Sequence, residues 1–359
     1  MRIFVPASAI AWPVDSGRQD RRCDGPKRTA AGRRVGLSLV GAALLGGWAC
    51  SRAEVTQPAA TDASAVVSAA SAAPDPCRSP VRFATIADVQ YGDREPKGTR
   101  FYRESVGKLR QAMEVIRRAR PDFVISVGDI IDRGFDSFAR ILPEVQGEGL
   151  PARYFVLGNH EWNLPAEQRA QVMPTLDLAS GYYSFTIDDW HFIVLDGTEV
   201  SGYGLDSGSA RRGEAKAMLR ELKRRGSLNA EKYNGAVSPE QLLFLLDELE
   251  FAAAHGARAI VFCHFPVFPP EAVANLWNDG DVRAVLSRFP GVAVAHISGH
   301  DHRGHYGQQA GVHYLTLDGM VETEETSAFA LVELCDDRIE IEGYGRQPSR
   351  TLLLPEARP

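Results

Sequence analysis

The sequence predicts a mixed α/β sandwich, two sheets flanked by helices, folded as one domain. Three observations predict it. From residue 81 onward, short apolar runs alternate with stretches of helical periodicity, the pattern of an α/β chain. Toward the C-terminus the runs are almost all strand-like. Polar residues with metal-ligand chemistry gather where those strands end. With 44% hydrophobic and 24% charged residues, the chain has enough apolar side chain to bury a sizeable core.

The elements follow in order. VRFATIA (81–87) reads as a strand. From Arg103 to Arg118 the residues Val106, Leu109, Met113 and Ile116 fall on one helical face. FVISV (123–127) is a strand, and a helical stretch over 136–148 leads to YFVLG (154–158). Further strands are expected at YYSFTI, HFIVLD, ARAIVFCH, VAVAHIS, VHYLTL, FALVELC and RIEIEGY. Ser238-Pro239-Glu240-Gln241 carries a capping-box pattern with Pro in the first helical position, opening a helix with Leu242, Leu245, Leu246 and Leu249. Glycines and polar residues at 201–213 mark a long, mobile insertion.

The N-terminal part reads as something other than fold. Val35–Trp48 is a fourteen-residue apolar run behind Arg33-Arg34, too short to span a membrane comfortably and the right length for an export signal. Cys50 follows in GGWACS, a setting that resembles a bacterial lipoprotein processing site. Residues 52–80 are rich in Ala, Ser, Thr and Pro without periodic apolar positions, as in a solvated tether. The expected organisation is a signal or lipoprotein-like segment over 1–50, a linker over 51–80 and a catalytic domain over 81–359. The protein is expected to be exported to the cell envelope, touching membrane only through a lipid on Cys50. In an oxidising compartment Cys77 and Cys335 have the option of pairing, whereas Cys263 sits in an apolar run and reads as a buried small hydrophobe.

Charge narrows the partners. Residues 1–34 hold eight basic and three acidic side chains, so residues 51–359 hold 32 basic and 43 acidic, a net charge of −11. Such a body is a poor general binder of nucleic acid. An anionic substrate would need local positive charge, which bound divalent cations supply.

Five strand ends carry the chemistry. TIADVQ ends in Asp88 and Gln90, and ISVGDIID delivers Asp129 with Asp132 behind it. FVLGNHE delivers Asn159, His160 and Glu161, IVFCHFP delivers His264, and HISGHDH delivers His300 and His302. Residues at the carboxyl ends of strands in an α/β sheet converge on one crevice. Taken singly, a Gly-Asp pair is as readily a turn or helix cap, and a lone His as readily a core residue. Five in order, each after an apolar strand, point to a metal site built from carboxylate, amide and imidazole, suited to Mn²⁺, Fe or Zn²⁺.

This ordered series, D-x-[HQ], G-D-x-x-D, G-N-H-[DE], a lone strand-end His and G-H-x-H, resembles that of the calcineurin-like metallophosphoesterases. Gln90 in the first motif narrows the resemblance, as do YNGAVSPEQLLFL (233–245), LWNDGDVRAVL (276–286), LDGMVET (317–323) and GYGRQPSR (343–350). Together they are similar to the manganese-dependent ADP-ribose/CDP-alcohol diphosphatases. The resemblance implies the two-sheet sandwich of that family and two divalent ions, Mn²⁺ foremost. It implies that Asp88, Gln90 and His302 hold one ion, that Asn159, His264 and His300 hold the other, and that Asp129 bridges them. His160 would stay unligated beside the leaving oxygen. A hydroxide shared by the ions would attack phosphorus in line.

The reaction expected from this is hydrolysis of the phosphoanhydride of a nucleoside diphosphate-linked small molecule, with another phosphomonoesterase or phosphodiesterase of the same site as the alternative. A scaffold that had lost catalysis would not be expected to keep every ligand. Arg133 and Arg303 beside the motifs are candidates for binding the diphosphate. Phe268 and Trp277 either form a wall for the nucleoside or pack in the core, and Asn275 and Asn278 flank Trp277 with groups suited to a ribose or base. His296 is expected to pack, His305 to lie at the rim or on the surface, and His191, His255 and His313 to play no part in the site. A monomer is expected.

Overall fold

A computed structural model of the protein describes Cys77 and residues 80–355, apart from 148 and 205–208. The elements run β1 Val81–Ile86, α1 Ser105–Ala119, β2 Phe123–Val127, α2 Asp136–Val145, β3 Ala152–Val156, α3 Ala166–Arg169 and α4 Val172–Thr175. They continue with β4 Tyr183–Ile187, β5 Trp190–Leu195, β6 Val200–Ser201, α5 Ala210–Arg225, β7 Gly235–Ala236, α6 Pro239–Ala254 and β8 Arg258–Cys263. The last are α7 Asp279–Leu286, β9 Ala293–Ser298, β10 Arg303–Gln309, β11 Val312–Asp318, β12 Ala328–Leu334, β13 Arg338–Gly345 and β14 Arg350–Leu353. The segments expected for signal, lipid attachment and most of the tether lie outside the described residues.

Two six-stranded sheets face each other, in the orders β14-β13-β12-β1-β2-β3 and β10-β11-β9-β8-β5-β4. Each is mixed: β1, β2 and β3 are parallel with an antiparallel β12, and β5, β8, β9 and β11 are parallel with antiparallel β4 and β10. Alternating strand residues point inward and interdigitate, as in any sheet-on-sheet core. Phe83, Phe123, Phe192 and Phe262 fill that layer, with Phe83 and Phe123 stacked at 5.0 Å and Phe192 edge-on to Phe123 at 5.0 Å. The outer faces are covered by α1 and α2 on one side and by α6 and α7 on the other. The expected sandwich of two mixed sheets flanked by helices is the observed one.

The capping box at α6 is half realised: Ser238 Oγ accepts from the Gln241 amide at 3.2 Å, and Pro239 takes the first turn, where no amide donor is needed. The insertion expected at 201–213 is shortened at both ends by regular structure. Val200–Ser201 pairs with Gly235–Ala236, and α5 begins at Ala210. This helix was not read from the sequence, although Ala215, Met218, Leu219 and Leu222 form a short apolar stripe that packs toward Trp277, because charged residues outnumber that stripe. Its support comes partly from surface pairs of Glu221 with Arg224 and Arg225. The cysteine pairing left open is present: Cys77 is disulfide-bonded to Cys335, just beyond β12. Cys263 is buried on the helix-covered face of β8, away from the inter-sheet layer.

Candidate metal centre

The strand ends meet as expected. The turns after β1, β2, β3, β8 and β9 carry Asp88 and Gln90, Asp129, Asn159 and His160, His264, and His300 and His302 to the ends of two adjacent sheets. Asp88, Gln90, Asp129 and His300 all have left-handed backbone, with φ of 52°, 44°, 55° and 68°. Non-glycine residues rarely take such angles, and they cluster where a site is built at the cost of strain. Close approach also sets the neighbours. A Cβ on Gly158 would collide with the Asp129 carboxylate, and one on Gly128 with the His264 ring.

The cluster is largely buried at the floor of a cavity. Asp88, Asp129 and His264 have no exposed surface and Gln90 almost none. One ligand atom each from Asp129, His264 and His300 lies within 4.8 Å of the others. His264 Nε2 is 3.3 Å from Asp129 Oδ2, and His302 Nε2 is 3.2 Å from Asp88 Oδ1. Neither approach is aligned as a hydrogen bond, and Asp88 Oδ1, Asn159 Oδ1 and His264 Nε2 are buried without a hydrogen-bond partner. Buried lone pairs left unpaired cost free energy unless something meets them. Such unpaired atoms beside the group of Asp129, His264 and His300 fit divalent cations, and among the described residues no thiolate joins that group, which fits an oxygen- and nitrogen-seeking metal. Gln90 turns Nε2 toward Asp129 Oδ2 at 3.2 Å and His302 Nε2 at 3.1 Å, so a half-turn of its amide would present Oε1 to an ion there.

The surrounding bonds fix these groups. Glu161 accepts from the amides of Asp129 at 3.0 Å, Ile130 at 2.7 Å and Gly158 at 2.7 Å, stapling two ligand turns together. Asp88 Oδ2 accepts from the His300 amide and Asp129 Oδ1 from the His160 amide. His264 Nδ1 donates to the Val127 carbonyl and His302 Nδ1 to Glu322, so each turns Nε2 to the cluster. Orienting bonds of this kind set ligand tautomer and basicity. The Asp129 carboxyl is raised by burial, but facing His264 and His160 outweigh this and hold it well below the usual carboxylate range. Burial, with the Asp129 charge added, pushes Glu161 up to about 7.

His160 sits at the mouth. Its Nδ1 is 2.9 Å from the Asp132 carbonyl and 3.3 Å from the Asp132 carboxylate, which Arg94 and Arg133 also contact. Burial lowers its pKa, but Asp129 and Asp132 outweigh that and raise it to about 9. The opposite nitrogen lies 3.9 Å from Asp129 Oδ2, and His160 lines a cavity of about 480 Å³ together with Gln90, Asp129, Asn159, His300 and His302, with Arg100, Tyr233, Val273, Arg303 and Glu322 around them.

Of the two readings of Phe268 and Trp277, nucleoside wall or packing, the structure favours packing for Trp277. Trp277 is buried among Val200, Ala215 and Ala236, with its indole N–H donating to the Glu231 carbonyl, and it does not line the metal cavity. Asn275 spends its amide hydrogens on the Pro269 carbonyl and Asp279, and Asn278 bonds both ways to the Val237 backbone. Phe268 stacks on Tyr314 at 5.0 Å and lines an adjoining groove. Arg133 lies on Asp132 rather than in the cavity, and Arg303 reaches the cavity while paired to Asp301. Sequence reasoning missed Arg100, Tyr233, Val273, Asn234 and Glu322. Tyr233, Asn234 and Glu322 lie in stretches that stood out as family-like, but nothing in the pattern alone says where they point. His296 is buried, His305 lines the adjoining groove, and His191, His255 and His313 lie outside the cavity lining.

The comparisons with known proteins agree with this geometry. The sequence model of the calcineurin-like phosphoesterases matches residues 81–304. A manganese-dependent ADP-ribose/CDP-alcohol diphosphatase of Oryza sativa subsp. japonica is 32% identical over 293 residues, covering 73% of this chain and 90% of the relative. One of the same name from Bos taurus is 29% identical over 317 residues, covering 75% and 93%. The crystal structure of a dimetal phosphatase from Danio rerio superposes with a TM-score of 0.69 at 29% identity, covering 77% of this chain and all of that one. The chain belongs to the calcineurin-like phosphoesterases and, among them, to the family of the manganese-dependent ADP-ribose/CDP-alcohol diphosphatases.

Proposed function

We propose that this protein hydrolyses the phosphoanhydride bond of nucleoside diphosphate-linked compounds of the ADP-ribose or CDP-alcohol type, with two divalent ions, Mn²⁺ foremost. The observation that carries the reading is the group of Asp129, His264 and His300 within metal-ligand reach of one another, with Asp88 Oδ1, Asn159 Oδ1 and His264 Nε2 buried and unpaired at the neighbouring strand ends. By family resemblance Asp88, Gln90 and His302 hold one ion, Asn159, His264 and His300 the other, and Asp129 both. When bound, two such cations offset phosphate charge and acidify water. Around them Glu161 holds the ligand turns, and His160 presents a nitrogen able to protonate or hydrogen-bond a departing oxygen. Arg100 and Arg303 add positive charge to the cavity wall of an otherwise acidic protein.

The relatives' names support the substrate class, and a panel tests it. With Mn²⁺, kcat/KM for ADP-ribose or a CDP-alcohol should exceed that for simple phosphomonoesters. Faster cleavage of phosphomonoesters would replace this reading with that of a general phosphoesterase.

The location belongs to the same proposal: export, and anchoring of the envelope-facing domain through Cys50. The apolar run before Cys50 supports it, as does the Cys77–Cys335 disulfide, since such bonds persist in oxidising compartments. Among the described residues no helix is long and apolar enough to cross a membrane.

A further inference from the structure

We infer that Asn234 is a positioning residue that sets the tautomer of His300 and thereby decides which ring nitrogen His300 turns toward a metal ion. The inference rests on the two-ion reading of the site. Asn234 lies just before β7 with no exposed surface. Its Oδ1 is 2.9 Å from His300 Nε2, while its Nδ2 donates to the carbonyls of Val273 at 2.7 Å and Asn229 at 3.0 Å. Both amide hydrogens are thus committed to groups that only accept. Turning the amide over would press Oδ1 against two carbonyl oxygens, so the oxygen must face the ring. An amide oxygen only accepts, which requires the hydrogen of His300 to be on Nε2. The lone pair of Nδ1 is then the one free for the cluster.

His300 therefore differs from its two companions. His264 and His302 use Nδ1 to bond outward and offer Nε2, whereas His300 bonds outward through Nε2 and offers Nδ1. Asn234 also joins the site to the cavity wall, because Val273 lines the cavity. That segment is stitched further back. Asn229 Nδ2 donates to the Leu276 carbonyl, and the Trp277 amide and indole bond to the Gly235 and Glu231 carbonyls. The stitching and the tautomer control meet in one side chain, and they are separable by mutation.

The test is Mn²⁺ titration of the full chain by equilibrium dialysis and electron paramagnetic resonance, comparing wild type, Asn234→Leu and Asn229→Ala. Wild type should bind two ions and show a spin-coupled pair. Asn234→Leu should bind one ion normally and the second about 10- to 100-fold more weakly, the scale for loss of a residue that orients a ligand. Asn229→Ala loosens the same segment without touching His300 and should keep both ions. Unchanged binding by Asn234→Leu, or equal loss in Asn229→Ala, would overturn the assignment. A wild type that bound fewer than two ions would fail the metal reading itself, a distinguishable result. Nitrogen-15 spectra of histidine in the metal-free wild type need no variant: His300, assigned with His300→Gln, should carry its proton on Nε2, and a proton on Nδ1 would refute the inference.

Discussion

Glu322 Oε1 lies 2.7 Å from His302 Nδ1, and that pair couples the turn after β11 to the end of β9. The carboxylate is raised in pKa by nothing strong enough to neutralise it: the His302 hydrogen bond comes first and, against burial, holds it low at about 2. It is thus an anion that makes the His302 ring a better donor to a cation on its other nitrogen. Glu322→Ala should weaken Mn²⁺ binding at the position by about 10- to 100-fold, and Glu322→Gln, which keeps an acceptor, by less. Metal titration of the two variants checks the order.

His160 should separate from the ligand histidines. His160→Ala is expected to lower kcat by roughly 10²–10⁴-fold, the range for a lost general acid, with bound metal near the wild-type level. His264→Ala should lose metal along with activity. Steady-state kinetics paired with metal analysis distinguishes them, and an emptied site in His160→Ala would show that the residue is a ligand.

How much of this was legible follows from where each signal resides. The strands and the ligand turns were readable because apolar runs are local and ligand types are few, so Asp129 after FVISVG and His300 after HIS announce themselves. Helix α5 was not, since its short apolar stripe of Ala215, Met218, Leu219 and Leu222 is outnumbered by seven basic and two acidic residues. The pocket was the weakest reading. By type Trp277 suits either a nucleoside contact or packing, and the burial and backbone bonding found for it and for Asn278 are set by tertiary packing that no local pattern encodes. Glu322 and Asn234 act through one ring each from 20 and 66 residues away, a relation no local pattern encodes.

His296 predicts an acid limb of stability. It is buried with Nε2 unpartnered, and burial pushes its pKa down to about 3. A folded pKa below the unfolded value of roughly 6.5 means that the unfolded chain takes up the proton first. Its contribution is therefore fully present above about pH 6.5 and is lost as pH falls toward 3, by an amount on the order of a few kcal/mol. In chelator, to remove metal effects, His296→Leu should lose less stability than wild type between pH 7 and 4. Parallel denaturant curves for the two proteins across that range would count against it.

The disulfide should matter to stability. It joins residues 258 positions apart, and closing so long a loop restricts the unfolded chain. Reduction, or Cys335→Ser, should cost roughly 2–5 kcal/mol. Thermal melts with and without reductant measure this, and identical melting temperatures would contradict it.

For location, fractionation should place the protein with membranes, and Cys50→Ser should release it or block its processing. Unprocessed full-length protein in the cytoplasm would contradict the export reading.

The central claim is that the cluster around Asp129 holds the ions that drive phosphoanhydride hydrolysis. The most direct measurement strips the protein with chelator and restores Mn²⁺ stepwise, following ADP-ribose turnover by phosphorus-31 NMR against bound ions per chain, in wild type and Asp129→Asn. Wild type should be inactive when stripped, should reach full rate near two ions, and should yield AMP with ribose 5-phosphate. Asp129→Asn should fail to recover. Turnover by stripped protein, or full activity in Asp129→Asn, would contradict the account.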